Sequence, residues 1–347
     1  MEFQLSCPIP KSEYDKILLA HGGGGTLTHQ LITKIFLDQF GNEYLNQLHD
    51  GAVFEINGTK FAFTTDSYVV NPVFFSGGNI GELAVNGTIN DLVCCGAKPL
   101  FISTGFIIEE GFEIEELWKI VLSMKDAADK ANVLIVTGDT KVVEKGKGDK
   151  IFINTSGIGI VYEGLNISPK NVKVGDVIIL NGKIAEHGIA IMSEREGLEF
   201  ETKIQSDTAA LNGLVEEILK VSKNISVMRD PTRGGLASAL NEIASSAKVK
   251  IEIYEERIPI SEEVMGACEI LGLDPLYIAN EGKILIFASE QDAAKILSVM
   301  RNHPLGKEST IIGKVIDKGE GLVTMKTLIG STRIVDMISG EQLPRIC

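Results

Sequence analysis

The clearest signal for the fold lies in KFAFTTDSYVVNPVFFSGGNIGELAVNGTINDLVCCGAKP, residues 60–99. Its first part, KFAFTTDSYVV, is rich in aromatic and β-branched residues and is predicted to be a strand. The preceding GAVFEING ends in Asn57-Gly58, a strong two-residue turn signal, so the two segments are predicted to form a β-hairpin. NIGELAVNGTINDLVCCGA is predicted to be a helix that ends near Gly96.

Strands and helices continue to alternate after this stretch. In a first unit, 41–165, we predict strands at LFISTGFII, LIVTGDTKVV and IFINTSGIGIV and a helix at IEELWKIVLSMKDAADKANV. A second unit, 166–340, begins near VKVGDVIILNG. There we predict helices at SDTAALNGLVEEILKVS, RGGLASALNEIASSA, SEEVMGACEILG and EQDAAKILSVMRN, and strands at VKIEIYE and KILIFAS. The pattern predicts an α+β fold. A doubly wound parallel sheet would give a similar alternation, but no G-x-G-x-x-G follows the first strand.

The two ends of the sequence differ from these units. Residues 1–40 are interpreted as an arm that lies over another part of the protein, with TLTHQLITKIFLDQF as an amphipathic helix ended by Gly41. Residues 341–347, EQLPRIC, are predicted to be a flexible tail, which spans at most about 23 Å when extended. Pro344 keeps the tip of this tail extended, and the sequence ends on the thiol of Cys347.

Charge and composition exclude several classes of protein. The formal net charge of −14 disfavours both a nucleic-acid backbone and an anionic membrane as partner. Five cysteines without a C-x-x-C spacing disfavour a zinc site or a disulfide framework. The N-terminus resembles no signal peptide, and no apolar run reaches the roughly 18 residues of a membrane span. We therefore expect a cytoplasmic protein.

Four aspartates stand at or near the ends of the predicted elements, where they could converge. They are Asp66, Asp91, Asp139 and Asp230. Asp139 and Lys141 interrupt LIVTGDTKVV, which is otherwise an apolar strand expected to be buried, and a buried charge needs a partner. Such carboxylates with a lysine could hold Mg²⁺ bridged to phosphates. The alternative is a set of turn caps and surface ion pairs.

Two loops and the remaining cysteines have weaker signals. HGGGG, residues 21–25, could bind a phosphate through its backbone N–H groups, with the following helix aimed at the anion, but it could also be a flexible linker. His21 could be a simple surface residue. ANEGK places Glu281 before an apolar strand, either as an acid/base or metal ligand or as part of an ordinary polar turn. The remaining cysteines in apolar contexts are interpreted as small core residues: Cys94, Cys95 and Cys268.

Taken together, these motifs resemble one family from the glycine-rich loop to the last residue. TTDSYVV, NGTINDLVCCGAKP, VTGDTKVV, MRDPTRGGLA, ANEGK and the final PRIC are similar to the HypE family of hydrogenase maturation factors, in the aminoimidazole ribonucleotide synthetase-like (PurM-like) superfamily. The resemblance implies a two-domain α+β fold, with ATP and Mg²⁺ in the cleft between the domains and a homodimer formed through the N-terminal sheet.

The resemblance also implies a reaction. Cys347 would receive a carbamoyl group from the carbamoyltransferase HypF. The protein would then dehydrate this group to a thiocyanate, hydrolysing ATP to ADP and phosphate. A HypC–HypD complex would pass the cyanide to the iron of [NiFe]-hydrogenase. The alternatives are an ATP-dependent small-molecule kinase or synthetase of the same superfamily, and a scaffold that presents a cysteine without turnover.

Matching the family pattern residue by residue assigns roles in this sequence. The resemblance implies Cys347, Glu281 and Lys141 as catalytic residues, with Lys141 also contacting phosphate. The metal or phosphate side would consist of Asp66, Asp91, Asp139 and Asp230. The nucleotide would be lined by Gly22, Gly23, Gly24, Gly25, Asn90 and Thr140. His21 and His187 are weaker candidates.

Overall fold

The computed structural model describes residues 14–197, 203–340 and 346–347. The predicted arm therefore lies partly outside the described residues, at 1–13, and so does most of the predicted tail, at 341–345. Two sheets, one of five and one of seven strands, organise the described chain, together with a two-stranded ribbon. No helix in the described ranges is both long and apolar enough to cross a membrane.

The first sheet is built from the chain between residues 52 and 161 and has the strand order β1-β2-β7-β5-β6. Its elements are β1 (Ala52–Ile56), β2 (Thr59–Tyr68), β3 (Phe74–Phe75), β4 (Gly78–Asn79), α3 (Ile80–Cys94), β5 (Ala97–Glu109), α4 (Ile114–Ala131), β6 (Leu134–Val143) and β7 (Ile151–Val161). The predicted hairpin is confirmed, because β1 and β2 pair antiparallel through Asn57 and Gly58, both with positive φ. Only the β5–β6 pair is parallel.

Helix α3 lies over one face of this sheet and is buried along almost its whole length. The Asn79 side chain accepts from the Gly81 N–H at 2.8 Å, which caps the start of α3. The opposite face carries exposed apolar side chains, among them Phe63, Phe101 and Ile107. In the single chain this face is open to solvent.

Strand β6 corrects one expectation. LIVTGDTKVV does form a strand, but it is the edge strand next to β5 and is exposed from Leu134 to Val142. The prediction that it is buried is wrong for the single chain. An apolar edge strand looks like a buried strand in sequence, because periodicity does not reveal what covers it.

The second sheet has the order β14-β13-β10-β12-β8-β11-β9, and only β10–β13 is parallel. Its elements are β8 (Asp176–Leu180), α5 (Glu186–Glu196), α6 (Asn212–Val221), β9 (Ile225–Arg229), α7 (Gly235–Ala247), β10 (Val249–Tyr254), α8 (Glu262–Leu271), β11 (Leu285–Ser289), α9 (Glu290–Asn302), β12 (Thr310–Lys318), β13 (Leu322–Lys326) and β14 (Thr332–Ile334). The mostly antiparallel pairing confirms an α+β fold and excludes the doubly wound alternative.

One predicted helix begins later than expected. SDTAALNGLVEEILKVS was predicted to be helical throughout, but α6 begins only at Asn212. Residues 206–211 form no regular structure, and most of their hydrogen bonds go to other parts of the protein. We call residues 206–211 the bridging segment.

The described part of the arm packs on the second unit. It forms α1 (Thr26–Leu31), a π-helical stretch (Ile32–Phe36) and α2 (Leu37–Phe40), which together match the predicted helix ended by Gly41. The Thr26 N–H donates to the Ile338 carbonyl at 2.9 Å. A Cβ added at Gly25 would lie 2.3 Å from that same carbonyl oxygen, so this contact requires glycine.

Candidate active site

Four acidic side chains from distant parts of the sequence interact in one place. Asp66 lies on β2, Asp91 in the last turn of α3, Asp230 directly after β9, and Glu281 in the turn before β11. Burial, then the charges of Asp230 and two other aspartates, raises the pKa of Asp91 well above its usual range. Burial and nearby aspartates likewise raise the pKa of Asp230. Three of the four aspartates predicted as metal ligands therefore meet in the fold.

Asp50 belongs to the same cluster, and the sequence analysis missed it. It stands directly before β1, and single ligand atoms of Asp50, Cys94 and Asp230 lie within 4.8 Å of one another. The carboxylate of Asp50 forms an ion pair with Arg229, whose side chain is 12% exposed. The signal in the sequence was an aspartate two residues before the first strand of the predicted hairpin.

Glu281 has a buried carboxyl group, one oxygen of which is unpartnered in the described chain. The residue is 3% exposed, and its Oε1 atom has no hydrogen-bond partner among the described residues. Burial, followed by the charges of Asp230 and Asp66, raises its pKa well above the usual value. A buried carboxyl without a protein partner is costly unless a ligand supplies one.

Cys347 reaches this cluster. The residue is 7% exposed and packs in the main hydrophobic core. The Val69 N–H donates to its carbonyl at 3.2 Å. Burial raises the pKa of the thiol, Arg233 lowers it, and the charges of Glu281 and two aspartates raise it again. The sulfur therefore lies close enough to these carboxylates to interact with them electrostatically.

Arg233 supplies a positive charge that acts on this thiol. The charge of Cys347 raises the pKa of Arg233 most. Burial lowers this pKa, and the charge of Asp66 raises it further. Its Nη2 atom lies 3.9 Å from Oδ1 of Asp66. A positive charge therefore interacts with both the sulfur and the Asp66 carboxylate.

The bridging segment connects α3 to the turn that carries Glu281. Asp207 accepts from the backbone N–H groups of Glu281 at 3.1 Å and Gly282 at 3.2 Å, and forms an ion pair with Lys283 at 3.1 Å. A Cβ at Gly282 would lie 1.9 Å from the Asp207 carbonyl oxygen, so only glycine allows this approach. The Asp207 side chain thus holds the backbone of Glu281 in place.

Asn90 has a structural task that was not predicted. Its Nδ2 donates to the carbonyls of Ala209 at 3.0 Å and Glu281 at 3.2 Å, and its Oδ1 accepts from the Leu211 N–H at 2.9 Å. Both amide donors are used inside the described structure. Asn90 therefore ties α3 to the bridging segment, while its predicted contact with nucleotide stays a prediction.

The glycine-rich loop lies against the turn that follows Asp230. Gly22 ends a short 3-10 helix, Leu19–Gly22. A Cβ at Gly24 would lie 2.5 Å from the Arg233 carbonyl oxygen. His21 is buried and accepts from the Leu18 N–H at 3.0 Å, so the surface interpretation of His21 is wrong. A Cβ at Gly23 would lie 3.7 Å from the Ala20 carbonyl oxygen.

Three predicted site residues lie elsewhere in the single chain. Asp139, Thr140 and Lys141 are on the exposed edge strand β6. Asp139 and Lys141 form an ion pair with each other at 2.8 Å, with side chains about 70% exposed. In strand register Asp139 is opposite Gly105, which pairs with Asn154, which pairs with Ser67. Two strands therefore separate β6 from β2, and the structure does not bring this trio to the other carboxylates.

The cluster fits a divalent cation. Oxygen ligands from several carboxylates at one point are what Mg²⁺ binds, and Oε1 of Glu281 lacks any partner in the described chain. Neighbouring carboxylates contribute to the raised pKa values of Asp91 and Asp230, and a bound cation would offset this repulsion. Asp50 and Asp230, which have ligand atoms within 4.8 Å of each other, could hold the ion, and Asp91 and Asp66 interact electrostatically with them.

Comparison with known proteins agrees with this geometry. Family models for the AIR synthase related protein match its N-terminal domain at residues 48–161 and its C-terminal domain at 173–326. The fold and the site thus define an AIR synthase related, PurM-like protein, as predicted.

Closer relatives narrow the class. Carbamoyl dehydratase HypE of Cupriavidus necator is 51% identical over 333 residues, which is 96% of this chain and 95% of that protein. A HypE–HypF complex contains a similar chain with 52% identity and a TM-score of 0.85, covering 89% of this chain and 99% of that one. HypE in complex with ATP has 45% identity and a TM-score of 0.81, covering 96% and 100%. The chain belongs to the carbamoyl dehydratase HypE family, which confirms the resemblance.

Proposed function

We propose that the protein dehydrates a carbamoyl group carried on the sulfur of Cys347 to a thiocyanate, using ATP. Its relatives are named carbamoyl dehydratases, and a solved relative holds ATP. One observation of this chain carries the proposal: the thiol of Cys347 is buried beside Glu281, Asp66 and Asp230. A cysteine placed there can present a group attached to its sulfur directly to a phosphoryl-transfer site.

The same residues divide into two functional sets. Asp50, Asp91, Asp230 and the adjacent Asp66 would hold Mg²⁺, which when bound neutralises the charge of the phosphates of ATP. The glycine-rich loop lies next to the Arg233 turn and would line the nucleotide, with the N–H groups of Gly23 and Gly24 bonded within the chain to Ala20 and Thr28. Glu281 and Arg233 face the sulfur.

The chemistry requires two bond changes at the carbamoyl carbon. In the first step the carbamoyl oxygen attacks the γ-phosphorus, ADP leaves, and one N–H proton passes to the Glu281 carboxylate, whose ionised form the charge of Arg233 favours. In the second step the C–O bond breaks, phosphate leaves with the remaining N–H proton, and S–C≡N remains. The oxygen lost as water thus ends in phosphate.

Further parts of the proposal concern partners. The relative solved in complex with HypF supports HypF as the donor of the carbamoyl group. A HypC–HypD complex would accept the cyanide for the iron of [NiFe]-hydrogenase. The exposed apolar edge strand β6 and the open sheet face beside it support a homodimer, in which Asp139, Thr140 and Lys141 would lie at the interface.

The second candidate, a small-molecule kinase of the same superfamily, shares the carboxylate cluster but has no use for a buried thiol at its centre. The experiment that separates the two is intact-mass analysis of protein incubated with the carbamoyl-donor system, Mg²⁺ and ATP. We expect a carbamoyl adduct that then loses one water, and no adduct on Cys347→Ala, which should still bind ATP. Dehydration of an adduct on the alanine variant would overturn the proposal.

A further inference from the structure

A buried histidine forms a hydrogen bond with the backbone of the residue before Cys347. Nε2 of His187 lies 2.7 Å from the Ile346 carbonyl oxygen, and the ring is fully buried. His187 lies near the start of α5, and the ring of Phe75 packs edge-on against it at 5.5 Å between centroids. The ring cannot turn away without breaking these contacts.

The hydrogen-bond pattern fixes the protonation of the ring. A carbonyl oxygen only accepts, so Nε2 of His187 must carry a proton and donate to Ile346. Burial lowers the pKa of His187, which keeps the ring neutral, so Nδ1 is an acceptor. Ser206 lies 2.7 Å from Nδ1 and must therefore donate to it. The Thr208 N–H in turn donates to the Ser206 oxygen at 3.2 Å.

This pair belongs to the element that also positions Glu281. Ser206 is the first residue of the bridging segment, and Asp207, the second, holds the backbone of Glu281 and Gly282. Ser206 thus holds the ring that binds the Ile346 carbonyl, and the adjacent Asp207 holds the backbone of Glu281. The bridging segment therefore helps to fix the position of Cys347 relative to Glu281.

We propose that His187, oriented by Ser206, is a positioning residue that seats Ile346 and thereby places the Cys347 sulfur at the carboxylate cluster. Its consequence for dehydration rests on the proposed function, but the seating itself does not. No other buried side chain in the described ranges donates a hydrogen bond to the backbone of Ile346 or Cys347. The hydrogen bond from Val69 to the Cys347 carbonyl comes from a backbone N–H.

The test measures how fast iodoacetamide modifies Cys347 in the folded protein, without ATP or carbamoyl donor. Cleavage after Glu341 releases residues 342–347 for quantification by mass spectrometry, so other cysteines do not interfere. His187→Ala should raise the rate about tenfold, the factor that corresponds to about 1.4 kcal/mol. His187→Gln, whose amide can donate from the position of Nε2, should stay near the wild-type rate.

Ser206→Ala should raise the rate less than His187→Ala, because the ring remains but its tautomer is no longer fixed. His303→Ala, which removes a half-exposed histidine far along the chain, is the matched control and should not change the rate. Equal rates in wild type, His187→Ala and Ser206→Ala would overturn the seating role. If His187→Ala does not fold, the Gln and Ser206 variants decide the question, since a wild-type rate in Ser206→Ala then contradicts it. A protein that lacked dehydratase activity would leave these rates unchanged.

Discussion

The acidic residues of the site repel one another in the folded chain. Asp91 is surrounded by Asp230, Asp50 and Asp66, and a single neutral donor, Thr64, hydrogen-bonds to it at 2.7 Å. Such repulsion lowers the stability of the fold and is typical of sites that bind a cation. The raised pKa of Asp91 means that the folded state disfavours its charged form, so its penalty grows as the pH rises above the usual carboxyl value.

Asp91→Asn should therefore stabilise the metal-free protein while weakening Mg²⁺ binding. Asparagine can still accept from Thr64, and the gain should be at least about 1 kcal/mol at pH 7, vanishing below about pH 4, where both forms are uncharged. Urea unfolding with and without Mg²⁺ measures both effects. Asp317→Asn, at an exposed ion pair with Lys250, is the control. A less stable variant, or one with the wild-type response to Mg²⁺, would contradict this assignment.

At the scale of elements, the bridging segment links the two units. It joins α3 through Asn90 to the Glu281 turn through Asp207. The Asp207 side chain is 2% exposed and that of Lys283 is 11% exposed. Burial raises the pKa of Asp207, but the positive charge of Lys283 and the Glu281 N–H lower it, and the net result is a pKa below the usual value.

Asp207→Asn should destabilise the fold by about 3 kcal/mol, because it leaves the buried Lys283 ammonium with only the partly exposed Glu186 as an ionic partner. The lowered pKa means that this contribution is present above the usual aspartate value and is lost as the pH falls below about 4. The difference between wild type and variant in urea should hence shrink from pH 7 to pH 3. Asp129→Asn, from an exposed helical pair, should unfold almost like wild type. A constant difference across this pH range would refute the account of Asp207.

The elements also show what the sequence could and could not predict. The β1–β2 hairpin, α3, β7 and α9 were predicted correctly, because turn residues and periodicity are local signals. Asp66, Asp91, Asp230, Glu281 and Cys347 were recognised from motifs, and the fold brings them together. The bridging segment was wrongly predicted to be helical. Its hydrogen bonds go to Asn90, His187 and Glu281, which are distant in sequence and which no local pattern reveals. Tertiary partners overrode its local preference.

For the whole molecule, the single chain leaves an edge strand and a sheet face uncovered. Val136 and Val142 on β6 are 55% and 68% exposed. Proteins rarely leave such an edge unprotected, and a second copy of the chain would cover it. This covering would also explain why Asp139 and Lys141 match the family pattern but lie away from the other carboxylates in one chain.

Val136→Lys should therefore convert a homodimer to monomers without unfolding the chain, because the side chain is already exposed within one subunit. Light scattering coupled to size exclusion gives the molar mass, and circular dichroism checks the fold. Ile329→Lys, at the tip that joins β13 and β14 and 90% exposed, is the matched control and should stay dimeric. A Val136→Lys protein with the dimer's mass would rule out β6 as the interface.

The central claim is that ATP phosphorylates a carbamoyl oxygen carried on Cys347 within the carboxylate cluster. The most direct measurement follows ¹⁸O from a labelled carbamoyl group through one turnover with ATP and Mg²⁺. Phosphoryl transfer to that oxygen predicts one ¹⁸O atom in each phosphate released, matched by one thiocyanate on Cys347. If the label appears in water while the phosphate stays unlabelled, the oxygen was never phosphorylated and the account is wrong.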